Sequence, residues 1–471
     1  MRVILGGKKM SQKIIIPQYS RSIVEEDNLR FFTETIEVGR ISPLAFLEAG
    51  NVNYKNEHFY WQNANQTLTL VGLGHAKVLS SEGKTNGFTD ISEQWKELCG
   101  VLIKEEKDLA PVLFGGFSFD PESKKDSEWN AFPTAFFVVP SFQLMSKNGQ
   151  TTVTINLITG NENAIDEFEV LRLERDRLIH LAQMNEFEPS AKPIVTSLVE
   201  VDKEKYMAAV ENVTQQIKNG QAEKVVIARS VQMNFEEKVS SVAALHYISN
   251  EQQESYHFGL QKKSQLFFGA TPERLIEISN GRAYSACVAG SSKRGKTAEA
   301  DRLLGEELLA DCKNREEHQY VVNMISKVFN EYCTDISMLK EPKLMKIRDI
   351  QHLFTPIEAK VEKEIDIFSF VEALHPTPAL GGVPTNKSME IIREEEQIDR
   401  GYYAAPIGWT DTEGDGEFAV AIRSALLDGN RAYLYAGGGI VADSEVEKEY
   451  EETWVKFRPI LRALGGKLND K

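Results

Sequence analysis

The chain has 471 residues, of which 42% are hydrophobic and 26% are charged, a composition typical of a soluble globular protein with one large domain or two to three ordinary ones. Its formal net charge of −16 argues against a nucleic-acid or anionic-membrane partner, since both bind basic surfaces, although one pocket can still be locally basic. The apolar stretch near the start is too short for a signal-peptide core, no later run approaches a membrane span, and the four cysteines lack metal spacing, so we expect a cytoplasmic protein with reduced thiols.

Residues 1–195 are predicted to form a strand-rich region that packs into the same fold as the rest of the chain. Its aromatic and β-branched runs, separated by turn residues, are typical of antiparallel strands. Asn148 and Gly149 lie between two such runs and predict a hairpin. A helix is expected at about 164–183, and the proline-containing segment 186–202 predicts the boundary with the second region.

Residues 200–466 form the second predicted region. A helix is predicted at 203–219, a strand at 224–235, one long helix at 298–331, and closing strands at 416–442. Antiparallel hairpins dominate, and the helices come in separate blocks. This pattern predicts an α+β fold with large antiparallel sheets and flanking helices.

The stretch 437–439 consists of three glycines at the end of the last strand, and an acidic helix follows. Ser444 and Glu447 have the spacing of a capping box, which predicts that the helix begins at Ser444. Pro459 predicts that the helix kinks or ends there. The glycines are either ordinary turn geometry or a set of backbone N–H groups that can hold a carboxylate.

Glu449, Glu452 and Lys456 are expected on one face of this acidic helix, because they are spaced at i, i+3 and i+7. Two interpretations remain open at this point. The face is either a solvated, salt-bridged surface, or a site in which the carboxylates hold Mg²⁺ and the lysine binds an anion.

Three further polar side chains lie in apolar stretches. Glu317 shares a predicted helix face with Val321 and Met324, so its carboxylate either lies at the edge of that face in water or is paired with a metal. Arg423 lies in an apolar strand and needs an anionic partner if it is buried. His352 is either a satisfied core histidine or part of a site.

Lys224 opens a predicted strand, and Glu273 follows another. Most lysines at strand starts reach solvent, but a desolvated lysine can act as a base. Glu273 is either an ordinary loop carboxylate or a buried one whose raised pKa lets it act as a general acid. Together these residues predict a site with cations and a base for a small anion, such as a dicarboxylate.

The ordered set of motifs between residues 205 and 464 resembles the chorismate-utilising enzyme family, which includes isochorismate synthases, salicylate synthases, anthranilate synthase component I and aminodeoxychorismate synthases. Each motif is weak alone, but the set in this order is highly specific. The first 200 residues match the family only loosely. The motifs are KVVIAR, FFGATPERL, VAGSSKRG, NREEHQYVV, HLFTPI, LHPTPALGGVP, DRGYYAAPIGW, EFAVAIRSA and AGGGIVADSEVEKEYEETWVK.

The resemblance implies two catalytic roles at positions that match the family motifs. Lys224 matches the general base that activates water, and Glu273 matches the general acid that protonates the departing hydroxyl. It also implies a set of groups that bind the substrate or line its pocket: Gly290, Ser291, His352, Tyr403, Arg423, Gly437, Gly439 and Lys456.

The resemblance further implies a Mg²⁺ site that holds the ring carboxylate of the substrate. Glu317 and Glu452 match the metal ligands, and Glu449 lies close by, acting directly or through water. One position departs from the pattern. Some relatives have an acidic residue three positions before the metal-binding glutamate, whereas this chain has Asn314, which leaves the surroundings of the metal open.

A few positions imply the subfamily. Lys224 resembles the water-using members, since the ammonia-using members have glutamine there. Ala289 stands where aminodeoxychorismate synthases have a nucleophilic lysine, and Ala49 stands where tryptophan-regulated members have serine. The resemblance therefore implies Mg²⁺-dependent conversion of chorismate into isochorismate, without tryptophan feedback or a glutaminase subunit. The long N-terminal half of the chain favours menaquinone biosynthesis over a siderophore pathway.

Other functions remain open at this level. A salicylate synthase, which also eliminates pyruvate, shares the lysine, glutamate and metal positions. An isochorismate synthase for a catechol siderophore would have the same active-site residues. A non-catalytic chorismate-binding or metal-binding protein is a third class, but such a protein would have little reason to retain both Lys224 and Glu273.

Overall fold

Large antiparallel sheets with helices against them make up the computed structural model of the chain. The structure describes residues 29–83, 87–123, 127–161, 163–185, 187–188, 191–346 and 350–467, without the side chains of Ser127 and Glu317. The helices in these ranges are α1 (Pro43–Gly50), α2 (Gly87–Gly100), α3 (Ala164–Met184), α4 (Lys203–Lys218), α5 (Ser241–Glu251), α6 (Ala298–Ala310), α7 (Cys312–Tyr332), α8 (Ile367–Leu374), α9 (Thr385–Glu395) and α10 (Val446–Ala463).

The strands run through both regions of the chain. They are β1 (Arg30–Val38), β2 (His58–Gln62), β3 (Leu68–Ser81), β4 (Leu102–Ile103), β5 (Val112–Phe117), β6 (Ala135–Lys147), β7 (Gln150–Thr159), β8 (Val195–Glu200), β9 (Lys224–Phe235), β10 (Tyr256–Lys262), β11 (Gln265–Thr271), β12 (Arg274–Ser279), β13 (Arg282–Lys293), β14 (Cys333–Met338), β15 (Lys343–Lys346), β16 (Ile350–Val361), β17 (Gly382–Val383), β18 (Pro406–Asp411), β19 (Gly416–Val420), β20 (Ser424–Asp428) and β21 (Arg431–Ile440).

Strand β6 is the point at which the sheets branch. It pairs with β3 along one edge and with β5 and β7 along the other. One branch continues from β3 through β2, β10, β11, β20 and β21 to β9. The other runs from β5 through β18, β19, β12 and β13 to β16. All of these pairs are antiparallel, so the predicted α+β fold with large antiparallel sheets and flanking helices is confirmed.

Residues on both sides of the predicted boundary share the same sheets and cores. The pairs β2–β10 and β5–β18 join strands from the two regions. One buried cluster contains Phe31 together with Val225 and Ile440, and a second contains Phe46 together with Phe457. The strand-rich first region therefore supports the strands that carry the candidate site. None of the helices in the described ranges combines the length and apolarity needed to cross a bilayer.

Several local predictions are confirmed by the structure. Asn148 and Gly149 form the turn between β6 and β7, with φ angles of 51° and 88° that suit a two-residue hairpin. Helices α3 and α4 fall where helical spacing predicts them, and β9 spans the predicted strand 224–235.

The prediction of one helix over 298–331 is wrong, because two helices, α6 and α7, meet at Asp311. The side chain of Asp311 caps α7. Its Oδ1 atom accepts hydrogen bonds of 2.7 Å from the backbone N–H and from the side-chain Nδ2 of Asn314. An aspartate that satisfies the free N–H groups of a first turn starts a new helix even inside a continuous helical pattern.

The predicted start of the acidic helix is also wrong by two residues. Helix α10 begins at Val446, and Ser444 makes no cap, because its hydroxyl accepts from the N–H of Val441 over 3.1 Å and donates to Glu449 Oε1 over 2.7 Å. The helix does not end at Pro459, which is buried and lies inside α10. Burial of Pro459 and Ile460 in the core offsets the loss of one backbone hydrogen bond at the proline.

Candidate active site

The glycine stretch at 437–439 lies in β21 directly beside the start of β9. Gly439 is paired with Val226, and Gly437 with Ala228. A Cβ atom built on Gly439 would lie only 2.6 Å from Cε of Lys224 and 3.3 Å from its Nζ. The lysine side chain therefore passes over the glycine backbone, and any larger residue at position 439 would displace it.

Lys224 and Glu273 form an electrostatic pair across this part of the sheet. Glu273 follows β11, where its N–H donates to Thr271 Oγ1 over 3.2 Å and its carbonyl accepts from the N–H of Val420 over 3.0 Å. Burial raises the pKa of Glu273 to about 7, and the positive charge of Lys224 opposes that rise. A carboxyl group with such a pKa is partly protonated at neutral pH and can donate a proton.

Glu449 faces the middle of the glycine stretch. A Cβ atom on Gly438 would lie 3.1 Å from its Oε2, while Ser444 donates to Oε1. Burial raises the pKa of Glu449, and the nearby carboxylate of Glu452 raises it further. Ser444, Lys456 and Lys313 oppose this rise.

Lys456 links α10 to the glycine strand. Its Nζ donates to the carbonyl of Gly437 over 2.8 Å and lies 2.7 Å from Glu452 Oε1. The side chain of Glu452 is 54% exposed, so the ion pair is open to water and is not a strong source of stability. A charged group held this way can move to bind an anion with little loss of stability.

Arg423 does not lie in a strand, contrary to the prediction. It falls between β19, which ends at Val420, and β20, which begins at Ser424, and its φ of 52° is left-handed. A left-handed conformation is unfavourable for arginine and is found where the surroundings impose it, often at functional sites. Burial lowers the pKa of Arg423, while Tyr403 and Glu452 oppose that shift. The guanidinium is therefore desolvated and interacts electrostatically with both side chains.

Tyr403 lies beneath the glycine strand. It is 5% exposed, and its ring stacks on Tyr435 with centroids 5.5 Å apart. Burial raises the pKa of Tyr403 to about 12, and the positive charges of Arg400 and Arg423 and the backbone of Gly437 oppose the rise. The phenol therefore remains a hydrogen-bond donor at physiological pH.

The pocket edge opposite the glycine strand is formed by β13 and β16. Ser291 is paired with His352, and the register shifts by one residue at Gly290, whose φ of 76° suits glycine. Burial lowers the pKa of His352, and the positive charge of Arg423 adds to this effect. His352 is thus close to Arg423, which connects this edge with the rest of the site.

Two residues of α7 hold the bulge at Gly290 in place. Asn314 Oδ1 accepts from the N–H of Ser291 over 3.2 Å. The His318 ring lies 3.1 Å from the carbonyl of Ala289 through Nδ1 and 2.8 Å from Thr355 Oγ1 through Nε2. From the sequence, Asn314 was identified only as a departure from the family pattern, and His318 was not identified. The position of His318 beside Glu317, on a helix face with apolar neighbours, was the signal that could have revealed it.

The candidate metal ligands are only partly described. The side chain of Glu317 lies outside the described residues; its position follows Lys313 by one turn of α7. In the described part of the chain, no three His, Cys, Asp or Glu side chains come close enough to form a metal site. The donor chemistry nevertheless fits a hard cation, because Glu449 and Glu452 are neighbouring carboxylates whose mutual repulsion a cation would relieve.

The arrangement places three kinds of group around the glycine strand. Lys224 at the start of β9 and the partly protonated Glu273 after β11 interact electrostatically, which suits proton transfer. A partly buried arginine, a tyrosine and a second lysine are hydrogen-bond donors of the kind that carboxylates need. Neighbouring glutamates on α10 carry oxygen atoms of the kind that a hard cation needs. Such a site can bind a small polyanion and move protons on it.

Comparisons with known proteins point to one family. Residues 18–465 match the sequence profile of a family described as "Chorismate binding enzyme". Isochorismate synthase MenF of Bacillus subtilis is 40% identical over 439 residues, which cover 91% of this chain and 92% of the relative. The salicylate biosynthesis isochorismate synthase of Pseudomonas aeruginosa is 33% identical, covering 92% of this chain and 90% of the relative.

A solved structure shares the fold. The menaquinone-specific isochorismate synthase MenF of Escherichia coli superposes with a TM-score of 0.76, covering 92% of this chain and 94% of that chain at 24% sequence identity.

Proposed function

The chain belongs to the chorismate binding enzyme family, and we propose that it is an isochorismate synthase, an isomerase that converts chorismate into isochorismate. Support comes from the 40% identity, over nearly the whole chain, with a relative named isochorismate synthase. Menaquinone biosynthesis is the pathway that we propose. A catechol siderophore pathway would use the same product, so no active-site residue distinguishes the two.

The pair of Lys224 and Glu273 is the observation that carries this proposal. Lys224 takes a proton from water as the water oxygen bonds to carbon 2 of chorismate. Both ring double bonds shift by one position, the carbon 4 hydroxyl departs, and Glu273 gives that hydroxyl its proton. One water enters and one leaves, so the product is an isomer of the substrate. The raised pKa of Glu273, about 7, suits the acid in this step.

The substrate's carboxylates would be bound by groups that the fold already directs at the glycine strand. Arg423 and Tyr403 supply a buried guanidinium and a phenol. Lys456 would exchange its contact with Glu452 for a substrate carboxylate. The backbone at Gly437 and Gly439 would complete the cradle. Gly290, Ser291 and His352 would line the opposite edge.

We propose Glu317, Glu452 and Glu449 as the groups that hold Mg²⁺, with Glu449 acting directly or through water. When bound, Mg²⁺ would neutralise a ring carboxylate of chorismate and fix its orientation. Ser444 keeps Glu449 oriented through its hydrogen bond of 2.7 Å. Chorismate is the proposed small-molecule partner, and we expect no glutaminase subunit, because Lys224 matches the water-using members.

Product analysis tests the proposal. Purified protein with chorismate and Mg²⁺ should give isochorismate, seen by chromatography, and EDTA or the Lys224→Ala change should abolish it. An ammonia-supplemented reaction should give no aminated product. Salicylate would instead establish the alternative, a salicylate synthase, and no conversion under any condition would overturn the proposal.

A further inference from the structure

The first residues of β9 are held by different partners on their two edges. On one edge, Val226 and Ala228 pair with the glycines of β21. On the other edge, β17 pairs with β9 only up to Val225, and β8 begins to pair only at Val231. The strand between these points therefore has backbone groups that no neighbouring strand satisfies on its outer edge.

Two side chains and one loop residue take the place of the missing strand. The N–H of Val226 donates to the carbonyl of Gly381 over 3.0 Å. The carbonyl of Val226 accepts from Arg400 Nη2 over 2.7 Å, and the N–H of Ala228 donates to Glu396 Oε2 over 2.7 Å. Both backbone groups of Val226 and the N–H of Ala228 thus have partners on this short edge, as buried polar groups require.

Glu396 and Arg400 form a buried ion pair with little freedom to move. Each side chain is 3% exposed, and two hydrogen bonds of 2.7 Å join them. Arg400 also donates to the carbonyl of Leu380 over 3.0 Å and stacks on Phe119 at 4.1 Å. A buried ion pair adds little net stability compared with apolar residues, but with all its hydrogen bonds made it fixes geometry.

The pair is connected to two groups of the candidate active site. Lys224 lies two residues before Val226 on the same strand, and its own carbonyl accepts from Ser388 Oγ over 2.9 Å. Tyr403 donates its N–H to the carbonyl of Arg400 over 2.8 Å, and the charge of Arg400 acts on its phenol. A shift of the pair would therefore move the strand of Lys224 and the segment of Tyr403 together.

We propose that Glu396 and Arg400 are positioning residues for the isomerisation. They replace a strand along the outer edge of β9, and so keep Lys224 over Gly439 and Tyr403 beneath Gly437. This inference rests on the proposed function, because it assigns the pair a role in orienting the base and a substrate-binding phenol.

A cavity behind the pair makes a direct test feasible. Its volume is about 400 Å³, and its lining includes Phe119, Asp120, Arg393, Glu396 and Arg400. Among the described side chains, its lining includes none of those that we propose to bind substrate or metal. Small solutes can therefore reach the position of the Arg400 guanidinium without entering the active site.

The first experiment is chemical rescue of Arg400→Ala by guanidinium at millimolar, non-denaturing concentration. Turnover per folded enzyme should fall about 100-fold, the scale of a 1 Å misplacement of catalytic groups, with a much smaller change in KM. Guanidinium should restore about a tenth or more of the lost turnover, because it can occupy the position beside Glu396 that the Arg400 side chain has left. Unchanged turnover, or a loss that guanidinium does not reduce, would overturn the proposal.

Arg177→Ala is the matched control. Arg177 on α3 also makes two hydrogen bonds of 2.6 Å to a buried glutamate, Glu174, but α3 packs against α1 and β7 rather than the site. This variant should lose stability, keep its turnover per folded enzyme and show no response to guanidinium. An equal loss of turnover in both variants would mean that the effect of Arg400 is only structural.

Variants at Glu396 keep the test valid if Arg400→Ala does not fold. Glu396→Gln retains a carbonyl oxygen that can accept from Ala228, whereas Glu396→Ala does not. The Gln variant should therefore turn over at least about tenfold faster than the Ala variant. Equal turnover in the two variants would contradict the proposal.

Hydrogen exchange separates failure of this proposal from failure of the proposed function. The Glu396→Ala variant should show faster exchange of the amide of Ala228, whatever reaction the enzyme catalyses, and Arg177→Ala should not. If the wild-type protein makes no isochorismate but the amide responds, the proposed function fails and the positioning of β9 stands. If the amide does not respond, the positioning role fails.

Discussion

The Cε atom of Lys224 lies 2.6 Å from the point that a Cβ atom on Gly439 would occupy. Real Cβ atoms do not come so close to a neighbouring atom, so the lysine can lie there only because residue 439 is glycine. The glycine stretch therefore has a role beyond its backbone N–H groups: it makes room for the proposed base.

Gly439→Ala should lower turnover about 10-fold to 100-fold, because the added methyl group displaces Lys224 from its position. The KM for chorismate should change much less. Steady-state kinetics with the purified variant measures both. Gly100→Ala is a suitable control, since a Cβ at that position would meet no described atom within 4 Å apart from its chain neighbours and the backbone of its own helix. Wild-type turnover in Gly439→Ala would mean that the placement of Lys224 over the glycine is unimportant.

The pH dependence of the reaction should report Glu273. Its pKa is raised to about 7 by burial, and the acid must be protonated to donate. We therefore expect the profile of kcat/KM against pH to show an ionisation with a midpoint near pH 7, because the protonation state of the acid changes there. The profile should be measured at saturating Mg²⁺. A profile of kcat/KM without an ionisation near pH 7 would exclude Glu273 as the acid.

The same group should make stability depend on pH. The folded pKa of Glu273 lies above its ordinary value of 4.5, so its contribution to stability is present below pH 4.5 and is lost as pH rises through about 7. Compared with wild type, Glu273→Gln should therefore gain about 2 to 3 kcal/mol more at pH 8 than at pH 5, since one pKa unit corresponds to 1.36 kcal/mol.

Urea unfolding at the two pH values measures this difference. Glu306→Gln, at an exposed position in α6, serves as the control and should shift stability equally at both. A Glu273→Gln effect that is independent of pH would show that the carboxyl group is not buried as described.

Ser444→Ala should weaken Mg²⁺ activation. Loss of the hydroxyl removes the hydrogen bond that opposes the raised pKa of Glu449 and leaves the carboxylate less well oriented. The Mg²⁺ concentration for half-maximal activity should rise about tenfold, the lower range for loss of a group that orients a metal ligand, with turnover at saturating Mg²⁺ nearly unchanged.

A Mg²⁺ titration of activity checks this prediction. Ser249→Ala, which removes a comparable hydroxyl from α5, should leave the titration unchanged. If Ser444→Ala activates at the same Mg²⁺ concentration as wild type, Glu449 is not coupled to the metal.

Asn314→Asp should raise the KM for chorismate and destabilise the protein. Asn314 Nδ2 now donates to Asp311 Oδ1 over 2.7 Å. In the variant, a carboxylate oxygen would replace this donor and would repel the carboxylate of Asp311. The bulge at Gly290 would lose part of its support, because Ser291 donates to the same side chain.

Kinetics and thermal unfolding of Asn314→Asp measure these effects. Asn330→Asp, near the end of the same helix and exposed, provides the control. A variant that matches wild type in KM and stability would show that Asn314 does not hold the bulge.

Local patterns in the sequence were sufficient where neighbouring residues decide the structure. Asn148 and Gly149 readily adopt left-handed backbone conformations at the hairpin, and the spacing of apolar residues correctly predicts α3 and α4. The same patterns failed where a side chain makes a choice that spacing does not show. Asp311 caps a new helix inside a continuous helical pattern, and Ser444 binds Glu449 instead of capping α10.

Arg423 shows the same limit of prediction from local sequence patterns, here within the candidate active site. An apolar run around an arginine predicts a strand, but the chain bends there with a left-handed residue. The bend is stabilised by long-range contacts, including the hydrogen bond from the N–H of Ala270 to the carbonyl of Arg423 over 3.1 Å. No local pattern contains that information.

The sequence by itself determined the family of this protein, because its types of residue, in their order, match that family, and it supplied the candidates for a base, an acid and carboxylate ligands. Only the tertiary structure decided how these groups act on each other. Lys224 and Glu273 meet because β9, β21, β20 and β11 pair in one sheet, and Glu396 and Arg400 complete the edge of β9 from a distant loop. The type of each residue can be read directly from the sequence. The distances between side chains, their burial and the resulting pKa values instead depend on strand pairing and packing, which bring distant segments of the chain together.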